Sequence, residues 1–505
     1  MTLLLGIDVG TTGVKAALFT PDGHLQAART VEYPTHHLRP GWVEQNPNDW
    51  WTATCAAIRA ALADVPDAPA RVIGLAVSSQ APSMVALDSA GEPVRPALIW
   101  MDRRAETETA QLVEHFGWDE IIRITGNRPD PYYVASKIKW FHQREPQDFR
   151  RARWFAQIPG YINLRLTGEL TLDDVHRGLM GLWDRTSGGW STALCEACGL
   201  TPDQIPPVYP GHHRQGAVTP AAAEATGLRA GTPVMVGTVD GAAAAVEAGV
   251  AEEGLVAEMT GTSTVLLIPN TSGISEPAFI AMPHALPGMH LLVGAMVSSG
   301  ASLNWYRDQF GRWEIEEARR TESDVFDLLT REASTAAPGS EGVLFLPYMM
   351  GERAPIWHTQ ARGVLFGLSL ATPRGAVIRA ILEGTAFALR HNIEVAAEVG
   401  ARLTELRGVG GPTRSPLWCQ IIADATNQPL TVLKDNPGAP LGDVFLAAAA
   451  VGLIPDAGEA AARAAQVERV YTPDPAHRAV YDARFAVYRI LYPALKPAFD
   501  TAAAG

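Results

Sequence analysis

Gly6-Ile7-Asp8-Val9-Gly10-Thr11-Thr12-Gly13 lies between two apolar runs, residues 3–5 and 14–19, with Lys15 inside the second. Apolar run, glycine-rich turn, apolar run reads as strand, turn, strand. The turn offers backbone N–H groups and the hydroxyls of Thr11 and Thr12, a donor set suited to an oxyanion such as a nucleotide phosphate. Asp8, at the lip, repels a phosphate; a Mg²⁺ between them, held through water, removes that repulsion. An ordinary hairpin is the competing reading of this stretch taken alone.

The stretch has an echo. Residues 255–267, LVAEMTGTSTVLL, repeat the pattern of apolar run, Gly-Thr-Ser turn and apolar run. Gly10 and Gly261 are separated by about half of the 505-residue chain. Such an internal repeat predicts two similar domains, residues 1–248 and 249–505, each giving a hydroxyl-rich turn to one cleft. Where the first copy has Asp8 the second has Met259, which fits one metal site rather than two.

The bulk numbers agree with this picture. A chain of this length exceeds one core. The net charge is −13 with no long basic run, which argues against nucleic acid or an anionic membrane as main partner. No stretch approaches the roughly 18 apolar residues of a membrane span. The four cysteines and the absence of a signal-peptide pattern predict a reducing compartment, the cytoplasm. Cys195 and Cys198 have CxxC spacing but no second pair beside them, so two helix-face cysteines is the plainer reading.

Further along, a third strand is predicted over 24–33 and a helix over 50–63, capped by Asn48 or Asp49. An apolar strand over 72–77 ends at Ser78-Ser79-Gln80-Ala81-Pro82, where polar residues after a buried strand mark Gln80 as a substrate contact. Asp102, in a second polar cluster, is either another contact or an arginine partner. Residues 152–157 read as partly helical. A strand over 232–237 delivers Asp240 to a helix N-terminus at 242–248, where a carboxylate is either a cap or a general base. A long helix is predicted over 374–398. A strand over 406–409 opens on Gly410-Gly411-Pro412-Thr413-Arg414-Ser415 before a helix over 416–426, a nucleotide-binding arrangement. The last fifty residues read as helical.

Taken together these residues resemble the FGGY family of carbohydrate kinases over essentially the whole chain. GIDVGTTGVK (6–15) looks like the first phosphate turn and MTGTSTVLL (259–267) like the second. VDGAAAAVEAGV (239–250) resembles the catalytic-aspartate segment, GERAPIW (351–357) and GVLFGLSL (363–370) the C-terminal signature, and VGGPTRSPLWCQIIAD (409–424) the adenosine-binding segment. The resemblance implies an α/β fold of two actin-like, ribonuclease-H-like domains around an ATP cleft, and suggests a homodimer. Within the family the likeness is greatest to the xylulokinases, through MPHALPGMHLL (282–292) and YINLRLTGEL (161–170). The sequence departs from them at Ala81 and Pro82, where Met-His is usual, and at Gly241, where Asn is usual. Pro412 replaces a third glycine and Ala376 a polar residue.

The resemblance implies transfer from ATP to a terminal hydroxyl of a small sugar or polyol, such as D-xylulose. Asp240 is then the base and Asp8 the holder of Mg²⁺. Gly10, Thr11, Thr12, Gly261, Thr262 and Ser263 surround the phosphates. Lys15 is either a phosphate ligand or an exposed or ion-paired strand lysine. Gly410, Gly411 and Ser415 line the nucleoside pocket. Gln80, Asp102 and Trp305 are sugar-side candidates, with a core tryptophan the alternative for Trp305. Other acceptors (ribulose, a polyol or a sugar acid) and, in another class, an actin-like ATPase stay open at this point.

Overall fold

The computed structural model describes residues 2–434 and 437–504. The opening stretch forms β1 (Leu3–Val9) and β2 (Gly13–Phe19), paired antiparallel with Asp8 opposite Lys15. β3 (Leu25–Glu32) continues the meander. α1 (Pro47–Ala63) packs on β2 and β3. It starts earlier than predicted: Asn46, not Asn48 or Asp49, is the cap, accepting from Asn48 N. Pro47 explains the shift, because a proline in the first turn has no N–H to leave unsatisfied.

β4 (Val72–Ser79) runs parallel to β1 and is almost wholly buried. The next part of the chain adds α2 (Val134–Arg144) and α3 (Asp174–Leu179). Residues 154–156 form a strand there, not a helix, paired with Val85–Leu87. β5 (Arg214–Ala217), β6 (Pro233–Met235) and β7 (Thr238–Val239) complete a seven-stranded sheet of order β5-β6-β4-β1-β2-β3, with β7 also on β4.

After α4 (Asp240–Glu247) the plan repeats. β8 (Gly254–Thr260) and β9 (Thr264–Asn270) form the echo hairpin, followed by β10 (Ile280–Pro283) and β11 (His290–Met296). α5 (Ser299–Phe310) and α6 (Arg374–Glu398) intervene, and β12 (Leu403–Gly410) then lies parallel to β8. α7 (Pro416–Thr426), β13 (Leu430–Leu433), α8 (Ala439–Ala450), β14 (Val467–Tyr471) and α9 (Arg478–Ala504) complete the chain. The second sheet also has seven strands, in the order β10-β11-β9-β8-β12-β13-β14. β14 corrects the all-helical reading of the last fifty residues. In each sheet a hairpin's first strand meets a parallel partner on its other side, so the echo in sequence is an echo in topology.

α8 comes late in the chain yet packs on β1, β4 and α4. Its small residues make this fit. A Cβ on Gly442 would lie 2.0 Å from Ala243 O, and one on Gly6 would lie 2.0 Å from Pro440 O. Leu4, Ala17 and Phe19 share one hydrophobic core with Val444 and Phe445 of α8, Ala242 of α4, and Ala257 and Leu267 of the second sheet. Cys195 and Cys198 are buried free thiols, and burial pushes both up to about 12, which makes them packing residues rather than thiolate ligands. Among the described residues no helix is long and apolar enough to cross a membrane.

Candidate active site

The turn after β1 is closed by Gly10 N donating to Gly13 O at 3.0 Å, and Tyr33 OH donates to Gly10 O. Gln80, at the end of β4, is tied to it. Thr11 Oγ1 donates to Gln80 Oε1 at 3.2 Å, and Gln80 Nε2 donates to Gln45 Oε1 at 2.7 Å. Trp100 Nε1 donates to Thr11 Oγ1 at 3.1 Å. The Thr11 hydroxyl is thus held from both sides, while Thr12 is exposed at the tip. The echo turn has its own closure, Gly261 N to Ser263 O at 2.9 Å, and Ala301 N at the start of α5 donates to Thr262 O at 3.0 Å.

A cavity of about 570 Å³ opens between the two turns. Asp8, Thr11, Gln80 and Asp240 line one side, Thr260, Gly261 and Ser263 the other, with Gly410 and Gly411 at the end. Gly410 has φ +102°, and a Cβ there would meet Thr260 O at 2.2 Å, so glycine is required by both backbone and space. A smaller cavity of about 190 Å³ shares Gly261 and Gly411 and is lined by Asn304, Asp327, Arg414, Ser415 and Trp418. Ser415 also caps α7, its hydroxyl accepting from Trp418 N at 3.3 Å.

Asp240 follows β7 and opens α4. The register of β7 on β4 places Val239 opposite Ser79, so Asp240 emerges beside Gln80. Burial pushes its carboxyl up to about 6, although Gly241 N donates to it at 2.6 Å and His176 also favours its charge. Burial likewise pushes Asp8 up to about 7, with the Asp240 charge adding and Lys15 opposing. Asp443 of α8 joins them. Burial holds it well above the carboxylate range despite the Ser78 hydroxyl donating at 2.7 Å, and the charges of Asp8 and Asp240 add to the effect. Asp8 Oδ1 and Asp443 Oδ1 are both shut off from solvent without a hydrogen-bond partner. Bare acceptor oxygens in a buried place call for a proton or a cation. Among the described residues no group of three or more His, Cys, Asp or Glu side chains forms a ready-made cage. The residues therefore fit a hard cation that keeps water and substrate oxygens as most of its ligands.

Gly10, Thr12 and Thr262 belong to the two turns without lining the cavity, and three further expected site residues lie elsewhere. Lys15 Nζ donates to Pro437 O at 2.5 Å and the side chain does not line the cavity. Asp102 is fully buried and accepts from Val43 N at 2.6 Å and from the Arg104 guanidinium at 2.7 Å, which makes it a clamp under the loop rather than a wall. Trp305 is half-buried on α5, edge-on to Phe310, and does not line the cavity. The aromatic walls are Trp100 and Tyr132, with Arg353 placed over the Trp100 ring at 5.5 Å. Sequence reading passed over these three and Asp443. Trp100 stood two residues before Asp102, and Arg353 stood inside a quoted motif, so the signals were present but unassigned.

Lys137 of α2 holds the aromatic wall. Its ammonium donates to Ile99 O at 2.9 Å and Tyr132 O at 3.0 Å, and burial pushes it down to about 7. Lys137→Met is expected to leave both carbonyls without a donor and to raise acceptor KM about tenfold with a smaller change in kcat. Steady-state kinetics at saturating nucleotide checks this.

The N-terminal-domain model of the FGGY family of carbohydrate kinases matches residues 3–247, and its C-terminal-domain model matches residues 256–451. The chain belongs to the FGGY family of carbohydrate kinases. As an FGGY kinase it is an ATP-dependent phosphotransferase. It is 32% identical to the xylulose kinase of Escherichia coli (strain K12) over an alignment of 511 residues, covering 98% of this chain and 99% of that protein. It is 30% identical to the gluconokinase of Bacillus subtilis (strain 168) over 457 residues, 89% of this chain and 88% of that one. The structure of xylulose kinase from Rhodospirillum rubrum matches with a TM-score of 0.91 at 30% identity, covering 99% of this FGGY kinase and all of that chain.

Proposed function

We propose that this FGGY kinase phosphorylates a terminal hydroxyl of a small open-chain sugar, with D-xylulose, giving D-xylulose 5-phosphate, as the first-choice acceptor. The observation that carries the reading is the position of Asp240. It is the carboxylate at a helix N-terminus on the wall of a cavity bounded by two hydroxyl-rich turns. In this reading Asp240 takes the proton as the sugar oxygen attacks the γ-phosphorus and the bond to the β-phosphate oxygen breaks, releasing ADP. The two turns, at Gly10–Thr12 and Gly261–Ser263, orient the phosphates, and Gly410, Gly411 and Ser415 receive the nucleoside. Asp8, with Asp443 behind it, would hold Mg²⁺. That ion supplies neutralising charge for the phosphates. Residues 1–248 and 249–505 act as the two lobes of the cleft.

A second acceptor class, a sugar acid, is favoured by Arg353. Its guanidinium lines the same cavity from the second half of the chain and, among the described residues, makes no ion pair. The gluconokinase relative points the same way. The test is ATP consumption across D-xylulose, D-ribulose, L-ribulose, glycerol and D-gluconate, with the wild type and Arg353→Gln. Preference for D-xylulose, with the variant little changed, supports the first reading. Preference for D-gluconate that collapses in Arg353→Gln establishes the second. Failure of every acceptor would end both.

A pH dependence follows from the base. Catalysis requires Asp240 ionised, so kcat/KM is expected to fall as pH drops through about 6. Stability runs the other way. A carboxyl whose folded pKa is raised contributes stability that is full below its unfolded value and lost as pH rises through its folded one. For Asp240 that loss is complete above about 6 and for Asp8 above about 7. The ligand-free protein should therefore show these two contributions raising Tm as activity declines, a divergence that parallel melting and rate profiles would reveal.

A further inference from the structure

The second sheet ends at β10, and a residue from the first half of the chain covers that edge. Asn127 is buried, and its side-chain amide meets Ala281 twice. Asn127 Nδ2 donates to Ala281 O at 2.8 Å, and Ala281 N donates to Asn127 Oδ1 at 2.8 Å. β10 stands first in the strand order of its sheet, with β11 on its inner side, so the amide takes the place that a further strand would fill. It can do so because it carries one donor and one acceptor group side by side. Asn127 is itself held locally. Gly126, at φ +77°, ends the helix Trp118–Thr125, its N donating to Ile122 O at 2.7 Å, and Asn127 N donates to Thr125 Oγ1 at 3.1 Å.

Strand alternation gives this pairing a consequence. Successive side chains of a strand point to opposite faces. Ile280 and Met282, on either side of Ala281, both line the cavity between the two turns. Fixing Ala281 therefore fixes that wall. Tyr132, from the same segment as Asn127, lines the cavity from the first half of the chain. Residues 127–132 thus hold one wall and supply another. The neighbouring Arg128 guanidinium lies over the Trp357 ring at 4.4 Å, and Trp357 N donates to Arg353 O at 2.5 Å, which ties the cavity-lining Arg353 to the same segment. A further bond crosses between the two halves away from the cavity. Arg185 Nη2 donates to Gly273 O at 2.6 Å, and neither residue lines the cavity.

We propose that Asn127 is a positioning residue for the acceptor: through Ala281 it sets the wall of Ile280 and Met282 against which the acceptor packs; this rests on the kinase reading given above. Asn127 does not line the cavity itself. Losing its amide frees the wall and leaves Asp240, Asp8 and the two turns as they are, so the effect falls on acceptor binding and not on the chemical step.

Two measurements test it. The first is steady-state kinetics on wild type, Asn127→Ala, Met282→Ala and the double variant, with Arg185→Gln as the control. Each of the two single wall variants should raise acceptor KM about tenfold with a smaller change in kcat. The double variant should be no worse than the worse single one, because a wall that is no longer fixed has already lost its Met282 contact. Arg185→Gln should leave KM unchanged. Additive effects in the double variant, or an Asn127→Ala protein that behaves as Arg185→Gln does, would make Asn127 a structural edge cap and overturn the proposal. The second measurement is amide hydrogen exchange on the ligand-free protein. Ala281 N–H should exchange faster in Asn127→Ala, while β8 and β9 keep their wild-type protection and so report an intact fold. Unchanged protection at Ala281 would equally overturn the proposal. Asn127→Asp, which keeps the acceptor for Ala281 N and loses only the donor, replaces Asn127→Ala should that variant not fold. Exchange needs no turnover, so failure to find an acceptor would count against the kinase reading and still decide whether Asn127 fixes the wall.

Discussion

Asp240→Asn is expected to lower kcat by about a thousandfold, within the range a lost general base costs, while nucleotide affinity changes only a few-fold. The substitution is nearly isosteric. The amide oxygen can still accept from Gly241 N, the bond that fixes the side chain at the start of α4. What is lost is the ability to receive a proton. Because the native carboxyl is held up by burial, removing its charge should not weaken the fold, and Tm should hold or rise. Rapid-quench transfer assays beside calorimetric nucleotide titration separate the two effects. A kcat within a few-fold of wild type would show that Asp240 is a helix cap and not a base.

The second large effect is expected at Gly442, which no ligand touches. A Cβ there would lie 2.0 Å from Ala243 O, 2.7 Å from Ala243 C and 3.0 Å from Ala243 Cα, all backbone atoms of α4. No side chain can rotate to make room, so one helix must move. Gly442→Ala should therefore cost about 3 kcal/mol, the upper part of the usual overpacking range. The displaced helix begins at Asp240, so kcat should fall together with stability. Gly189→Ala is the control, since a Cβ there meets nothing within 4 Å and its Tm should be unchanged. A Gly442→Ala protein as stable as the control would mean that α4 and α8 are not locked as described.

What could be read from the sequence was whatever is local or repeated. α6 and α7 run over the residues predicted, 374–398 and 416–426, because long periodic segments carry their own signal. The two hairpins were visible because the same apolar-turn-apolar pattern occurs twice. Gln80, Asp240 and the first turn come together because β1, β4 and β7 run parallel and end on one side of the first sheet; the second turn holds the equivalent place on the second sheet. What was not legible depends on segments meeting across the chain. Asp443 looks like an interruption in an alanine-rich helix until α8 is laid against β4 and its carboxylate meets Ser78. Lys15 lies opposite Asp8 in register, yet its reach to Pro437 O is set by a loop more than four hundred residues away. Asp102 and Trp100 share one loop, and nothing in their spacing says which of them turns inward.

The placement of α8 has a consequence for how the chain is made. Synthesis delivers the first seven-stranded sheet by Val239, but the helix that covers Leu4, Ala17 and Phe19 begins only at Ala439. Until then that apolar face is covered only in part, by α4, while the second sheet is still being extended by the ribosome. A nascent chain of this enzyme thus exposes part of its final interior for most of its elongation, and holding factors that bind apolar surface have their longest opportunity in that interval. The last helix to reach the first sheet brings Asp443 with it, so its bond with Ser78 forms only when the earliest strand is finally covered.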